Sequence, residues 1–130
     1  MRWTSVKRWV PLFGWILVIL GVSSIPRLSV DNVGMPEGID KVAHYFEYLV
    51  LALLFHHALS GRPVRRRLPV ELLVVATGLA IAAFDEIHQG YIPGRDPNIF
   101  DFAADGAGIL TGMLIGMRMI RTAGAGTEGA

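Results

Sequence analysis

The sequence predicts an all-α polytopic membrane protein with four transmembrane helices and both termini in the cytoplasm. Three observations lead to this fold class: 52% of the 130 residues are hydrophobic, the mean hydropathy is +0.47, and the basic residues are concentrated on alternate connections. Soluble domains of this size are rarely so apolar. The length allows one domain, which we place at residues 1–121, and the Gly-rich residues 122–130 are expected to form a disordered tail.

Four apolar stretches, at residues 9–25, 42–59, 69–87 and 102–120, are separated by short polar connections. Each is close to the roughly 20 residues that cross a hydrocarbon core as a helix. The first stretch follows basic residues, as in a signal peptide, but it lacks a clear small-residue cleavage site, so we expect it to remain as a helix. Trp15 within it suits either an interfacial anchor or helix packing.

Charged residues divide unequally between the two sides of the predicted membrane. Nine of the twelve basic residues lie near the termini or in the segment GRPVRRR, and nine of the eleven acidic residues lie in or beside the other two connections, 26–41 and 88–101. Because basic loops resist translocation, the basic side should be cytoplasmic. GRPVRRR is then a topology signal that also meets anionic headgroups. The expected location is the bacterial cytoplasmic membrane, with an acidic end outside.

Several functional classes are excluded or disfavoured by composition. The chain has no cysteine, which excludes disulfides, thiolate catalysis and cysteine metal sites. Nucleic-acid binding is not expected, since the basic run is short and explained by topology. Transport is disfavoured because the inner halves of the last two helices offer little polarity beyond Thr77 and Thr111. His56 and His57, at the inner end of the second helix, are expected to face headgroups.

Polar side chains recur one helical turn apart at the outer ends of the last three helices. The pairs are Asp40 with His44, Asp85 with Gln89, and Asp101 with Asp105, and they are accompanied by Lys41, Glu47, Glu86 and Arg95. A turn at Pro93-Gly94 should end the third helix and orient the arginine after it. A charge at the depth of Glu47 costs on the order of 3 kcal/mol unless it is compensated. These groups are therefore expected to converge on one pocket.

The last helix carries small residues at every fourth position: Ala104, Gly108, Gly112 and Gly116. Such a ridge lets a neighbouring helix approach closely, so it should bring the polar helix ends together. Asp101, near the start of the same helix, has a structural alternative to a functional role. It suits the capping of free N–H groups at the helix N-terminus.

Two ordered motifs support a family resemblance: D-K-x-x-H at 40–44, and D-E-x-x-Q-x-x-x-P-G-R-x-x-x-x-x-D at 85–101, followed by the Gly-rich last helix. Together they resemble the VanZ-like family, named for a protein associated with teicoplanin resistance, over about residues 39–117. Asp105 departs from the pattern, since family members often have asparagine there. The resemblance implies an integral membrane protein of the cell envelope and implies no particular reaction.

An enzyme and a binding module are both compatible with these residues. In the enzyme, Asp85, Glu86, His44 and Asp101 would supply acid–base catalysis, while Arg95, Lys41, Asp40, Gln89, Asp105 and Glu47 would bind a lipid-linked envelope intermediate. In the binding module, the same pocket would hold or mask an anionic headgroup, a cell-wall precursor or a glycopeptide without turnover. A third interpretation is an ion-paired plug that ties the helix ends together.

No cofactor is predicted. The carboxylates and His44 would suit a divalent cation, but their spacing matches no standard metal motif, so a metal is not favoured. Membrane lipids are expected partners, and the sequence leaves the oligomeric state open.

Overall fold

The computed structural model describes residues 2–26, 34, 36, 38–59 and 68–125, with the backbone alone at 2–5 and 120–125. In these ranges the chain forms four helices and no strand: α1 (Arg2–Ser23), α2 (Ile39–Leu59), α3 (Leu68–Gln89) and α4 (Ile99–Ala125). Each contains a span long and apolar enough to cross a membrane. The predicted all-α fold with four transmembrane helices is therefore confirmed.

Two sequence predictions concern segments that the structure describes only in part or not at all. GRPVRRR, at residues 61–67, lies outside the described residues. The predicted tail at 122–130 overlaps the end of α4, which is helical to Ala125, and its last five residues lie outside the described part of the chain. The predicted disorder therefore does not apply to residues 122–125.

Local sequence signals explain where α3 ends and α4 begins. After Gln89, a turn forms over Ile92–Arg95, closed by a hydrogen bond of 3.1 Å from the Arg95 amide to the Ile92 carbonyl oxygen. Pro93 and Gly94 occupy its two central positions, and Gly94 has φ 79°, the left-handed conformation that a type II turn requires there. The predicted turn is confirmed, and it places Arg95 beside the end of α3.

The helices alternate in direction. The Trp15 indole N–H donates to the backbone carbonyl of Glu47 at 2.9 Å, and Trp9 packs edge-on against Phe55, so α1 and α2 are antiparallel. Lys41 contacts Asp101, so α2 and α4 begin at the same end of the bundle. We call this the polar end, where α3 finishes. The start of α1 and the finish of α4 lie at the opposite end.

The small-residue ridge of α4 packs against α2, as predicted. A Cβ added at Gly108 would overlap the Tyr45 carbonyl oxygen, and one added at Gly112 would lie 2.6 Å from the Leu49 carbonyl oxygen. Only glycine allows backbones this close. The α2–α4 pair is accordingly the most extensive helix contact in the described chain. It sets the separation between the polar side chains at the starts of these two helices.

The buried core is a narrow seam between helices that expose apolar side chains outward. Leu12, Tyr48, Leu51, Val74 and Ile109 are almost fully buried. Large apolar side chains on all four helices are exposed, as expected for surfaces that contact lipid tails.

Candidate functional site

The site lies at the polar end, where one lysine joins α2 to α4. Lys41 Nζ contacts Asp40 Oδ2 at 2.8 Å and Asp101 Oδ1 at 3.0 Å. Asp101 is buried, whereas Lys41 and Asp40 are partly exposed. The ammonium group is thus already shared by two carboxylates, which makes Lys41 a clamp between helices rather than a free anion-binding group.

Asn98, and not Asp101, caps α4. The Asn98 Oδ1 accepts a hydrogen bond of 3.0 Å from the Phe100 amide, which is the N-cap arrangement. The alternative interpretation of Asp101 as the helix cap is therefore wrong, because a better-placed asparagine precedes the helix. Asp101 points instead toward Lys41.

A second link between α2 and α4 is fully buried. His44 Nδ1 lies 2.9 Å from Asp105 Oδ1, and the Asp105 side chain has no exposed surface. With Nδ1 protonated, the imidazole donates to this carboxylate and presents its other nitrogen, Nε2, away from it. Residues spaced one turn apart along α2 and α4 thus find their partners on the other helix. His44 contacts Asp105, and Lys41 contacts Asp101.

The end of α3 adds two buried carboxyl groups. Gln89 Nε2 donates to Asp85 Oδ2 at 2.9 Å, a contact within the helix that confirms the predicted pair. The Asn98 amide donates to Glu86 Oε2 at 2.8 Å, which joins α3 to the start of α4. Asp85 and Glu86 are both more than nine-tenths buried.

Several buried polar atoms at this end have no hydrogen-bond partner among the described residues. They are Asp85 Oδ1, Glu86 Oε1, Asp105 Oδ2, Asp40 Oδ1 and the Tyr48 hydroxyl. Buried polar groups in folded proteins are nearly always satisfied. The ion pairs and hydrogen bonds among the described residues therefore do not satisfy all the buried polar atoms of this cluster.

Tyr48 is the residue that sequence reasoning missed. Its side chain is completely buried, and its hydroxyl interacts electrostatically with Asp85, Asp105 and Glu47. The signal was available, because Tyr48 follows Asp40 and His44 at the same four-residue spacing. An aromatic stripe in an apolar helix is more often core packing, and only the assembled bundle shows this phenol among carboxylates.

Glu47 and Arg95 complete the set of predicted residues. Both are partly buried, and they interact with each other electrostatically. Glu47 also interacts with His44 and Asp85, so it belongs to the same cluster. All ten predicted site residues therefore lie at the polar end, contributed by α2, α3, α4 and the α3–α4 turn.

Three of these side chains are arranged as metal ligands. One ligand atom from each of His44, Glu86 and Asp101 lies within 4.8 Å of the other two, and all three residues are buried. Imidazole and carboxylate groups are common ligands of divalent metals. The spacing along the sequence gave no such signal, because the three residues come from three different helices.

The opposite end of the bundle holds a second buried polar pair. His56 Nε2 lies 3.1 Å from Glu71 Oε2, joining α2 to α3, and both side chains are buried. The prediction that His56 faces headgroups is wrong, because it continues the stripe of His44, Tyr48 and Ala52 along the face that packs on α4. His57 is exposed. Polarity in the inner half of the bundle is thus greater than expected.

Four membrane-length helices around a buried, multiply charged site define a polytopic integral membrane protein with a polar centre at one end. The chain belongs to the VanZ/LLP1 family, whose model matches residues 2–121, nearly the whole chain. This confirms the family resemblance. No curated protein and no solved structure matches the chain.

Proposed function

We propose that this protein acts at the outer face of the bacterial cytoplasmic membrane, on or through a lipid-linked component of the cell envelope. The observation that carries the proposal is the convergence of buried carboxyl groups, an imidazole, a phenol and an arginine at one end of an apolar bundle. Ionisable groups inside a membrane are costly and are kept where they bind or react. A site at the end of a span meets the headgroup of a lipid, so a lipid-linked molecule is the fitting ligand class.

Charge supports the outward orientation of the site. Lys7, Arg8 and Arg118 lie toward the opposite end of the bundle, whereas the polar end carries at least seven carboxyl groups among the described residues, six of them buried or partly buried and the seventh the exposed Asp96. Basic residues flanking spans are retained in the cytoplasm. The polar end then faces outward, and both ends of the described chain face inward.

Cysteine accessibility tests this orientation cleanly, because the chain has no cysteine of its own. In intact cells a membrane-impermeant maleimide should label Asp96→Cys, which lies on the exposed α3–α4 turn, and should not label Ala125→Cys. Both variants should be labelled after lysis, which serves as the control for reactivity. Labelling of intact cells at position 125 but not at 96 reverses the topology and overturns the proposed location.

Catalysis is the use that the site's buried carboxyl groups support best. Glu86 is held by the Asn98 amide through one oxygen, while its other oxygen is buried and has no partner among the described residues. Asp85 has the same arrangement with Gln89. A carboxyl group fixed by one oxygen and available through the other is suited to transfer a proton to or from a bound ligand. Arg95 would hold the anionic part of that ligand.

Binding without turnover is the second candidate function. The ion pairs that Lys41 forms with two carboxylates bear on it, because they determine which cation would bind an anionic ligand. With that ammonium group committed to Asp40 and Asp101, an anionic headgroup would be bound through Arg95, which also interacts electrostatically with Glu47. The site would then hold or mask a cell-wall precursor. Either activity would reduce the access of a glycopeptide such as teicoplanin to its target.

The variant Glu86→Gln tests whether the carboxyl group is needed, since it keeps the shape and removes the charge. In a strain whose teicoplanin tolerance depends on this protein, we expect Glu86→Gln to lower tolerance to that of the deletion strain. Asp96→Asn, an exposed carboxyl group at the same end, is the matched control and should keep full tolerance. Full tolerance in both Glu86→Gln and Asp85→Asn would refute the site assignment.

Mass spectrometry separates the two candidate activities. Wild-type protein incubated with a lipid-linked cell-wall precursor should yield a product if it is an enzyme, and Glu86→Gln should not. Stoichiometric binding and unchanged release would establish the binding module instead. If a lipid-linked molecule co-purifies with the wild-type protein, it should be lost from Arg95→Ala in either case.

A further inference from the structure

We propose that His44, Glu86 and Asp101 bind one divalent transition-metal ion, zinc or manganese, at the polar end of the bundle. One ligand atom from each of these side chains lies within 4.8 Å of the others. Metal–ligand bonds of about 2.1 Å place neighbouring ligands roughly 3–4 Å apart. Side-chain rotations that close the gap by about 1 Å therefore suffice.

Each proposed ligand uses one polar atom for a fixed contact and keeps a second for the metal. Glu86 accepts from the Asn98 amide through Oε2, and its Oε1 is buried without a hydrogen-bond partner among the described residues. Asp101 accepts from Lys41 through Oδ1, so we assign Oδ2 as its ligand atom. His44 faces Asp105 through Nδ1, so we assign Nε2 as the coordinating nitrogen.

In metal sites, the ligand side chains are commonly held in place by hydrogen bonds from their second polar atom to neighbouring groups. Metal-bound histidines almost always donate their other N–H group to a carboxylate or carbonyl, which fixes the ring and the tautomer. Asp105 supplies that carboxylate, and Asn98 and Lys41 hold the two acidic ligands in the same way. Asp105 is therefore a positioning residue for the metal, and the contacts of these outer partners are already formed.

A second observation points to a cation at this place. The Tyr48 hydroxyl and Asp85 Oδ1 are fully buried and lack hydrogen-bond partners among the described residues. The tyrosine interacts electrostatically with Glu86 as well as with Asp85. A metal that keeps one or two bound waters would offer a hydrogen-bond donor and acceptor to such atoms. Three protein ligands leave such positions open.

Electrostatics favours the same conclusion. Six buried or partly buried carboxyl groups lie at the polar end among the described residues, beside the basic side chains of Lys41 and Arg95: Asp40, Glu47, Asp85, Glu86, Asp101 and Asp105. An excess of negative charge within a membrane protein must be neutralised. A divalent cation does this at the centre of the cluster. The mixture of imidazole and carboxylate favours zinc or manganese over magnesium or calcium, which prefer all-oxygen sites.

Metal binding can be measured with no lipid or antibiotic present, so its outcome is independent of the proposed function. Purified wild-type protein in detergent is stripped with EDTA and titrated separately with Zn²⁺, Mn²⁺ and Mg²⁺. We expect one Zn²⁺ or Mn²⁺ per chain and a rise in Tm of about 5 °C or more at saturation. Saturation by Mg²⁺ alone, or no stoichiometric binding of any of the three ions, overturns the proposal.

Conservative variants identify the ligands. His44→Gln, Glu86→Gln and Asp101→Asn should each lower metal affinity at least about 100-fold, and Asp105→Asn about 10-fold, since outer partners contribute less than ligands. Asp96→Asn is the control and should bind as wild type does. Unchanged affinity in Glu86→Gln or His44→Gln contradicts the assignment.

A measurement on wild type alone keeps the test valid if a variant does not fold. X-ray absorption of the zinc-loaded protein should show a shell of oxygen and nitrogen atoms with a single imidazole. A spectrum without an imidazole, or with two, refutes this ligand set.

Discussion

Replacing Gly108 by alanine is expected to lower the free energy of unfolding by about 3 kcal/mol or more, at the upper end for overpacking. The new Cβ would overlap the backbone carbonyl oxygen of Tyr45, and a backbone atom cannot rotate aside as a side chain can. α2 and α4 must then separate, which also pulls His44 away from Asp105. Thermal unfolding in detergent, followed by circular dichroism, measures the effect.

Gly106→Ala is the matched control for this prediction. Gly106 lies on the same helix, and a Cβ there would lie 3.7 Å from the nearest side-chain atom, an ordinary van der Waals contact. Alanine also favours helix over glycine by up to about 1 kcal/mol, so Tm should stay the same or rise slightly. Equal Tm values for Gly108→Ala and wild type would contradict the close approach of the α2 and α4 backbones at Gly108.

Replacing Asp105 by leucine is expected to lower the free energy of unfolding by about 3 kcal/mol, because it leaves the buried His44 N–H group without an acceptor. Leucine also cannot restore the electrostatic interaction with the imidazole. Chemical or thermal unfolding of the metal-free protein measures the loss. Wild-type stability in Asp105→Leu would contradict a buried contact between His44 and Asp105.

Asp105→Asn is the informative companion variant. Its amide oxygen accepts the same hydrogen bond from His44, so its unfolding free energy should stay within about 1 kcal/mol of wild type. Its effect should appear instead in metal affinity, because a neutral amide supports the imidazole less than a carboxylate does.

The proposed metal site and the proposed function each assign a role to Glu86. In the metal site this residue is a ligand, and in acid–base catalysis it transfers a proton. The two roles are distinguished by comparing metal affinity and teicoplanin tolerance in one set of variants. If Asp85→Asn abolishes tolerance and keeps metal binding, Asp85 is the proton-transferring group and Glu86 serves the metal.

The sequence alone determined the fold class and the end of the bundle at which the polar residues cluster. Four apolar stretches of membrane-spanning length leave few alternatives to a helical bundle, because a backbone in lipid must satisfy its own hydrogen bonds. One-turn spacing then brought Asp40 and His44, and likewise Asp101 and Asp105, to one face of their helices. The glycine ridge was also readable, since close helix packing demands small residues at a fixed interval.

Tertiary structure alone decided which polar groups are partners. Helical periodicity pairs residues within one helix, but Lys41, His44 and Glu86 contact residues outside their own helices. The contacts of Lys41 and His44 depend on how closely the glycine ridge lets α2 and α4 approach. The burial of Tyr48 and the pairing of His56 with Glu71 follow from the same packing. The convergence of His44, Glu86 and Asp101 is likewise a property of the assembled bundle, because no spacing along one chain segment encodes a point that three helices share.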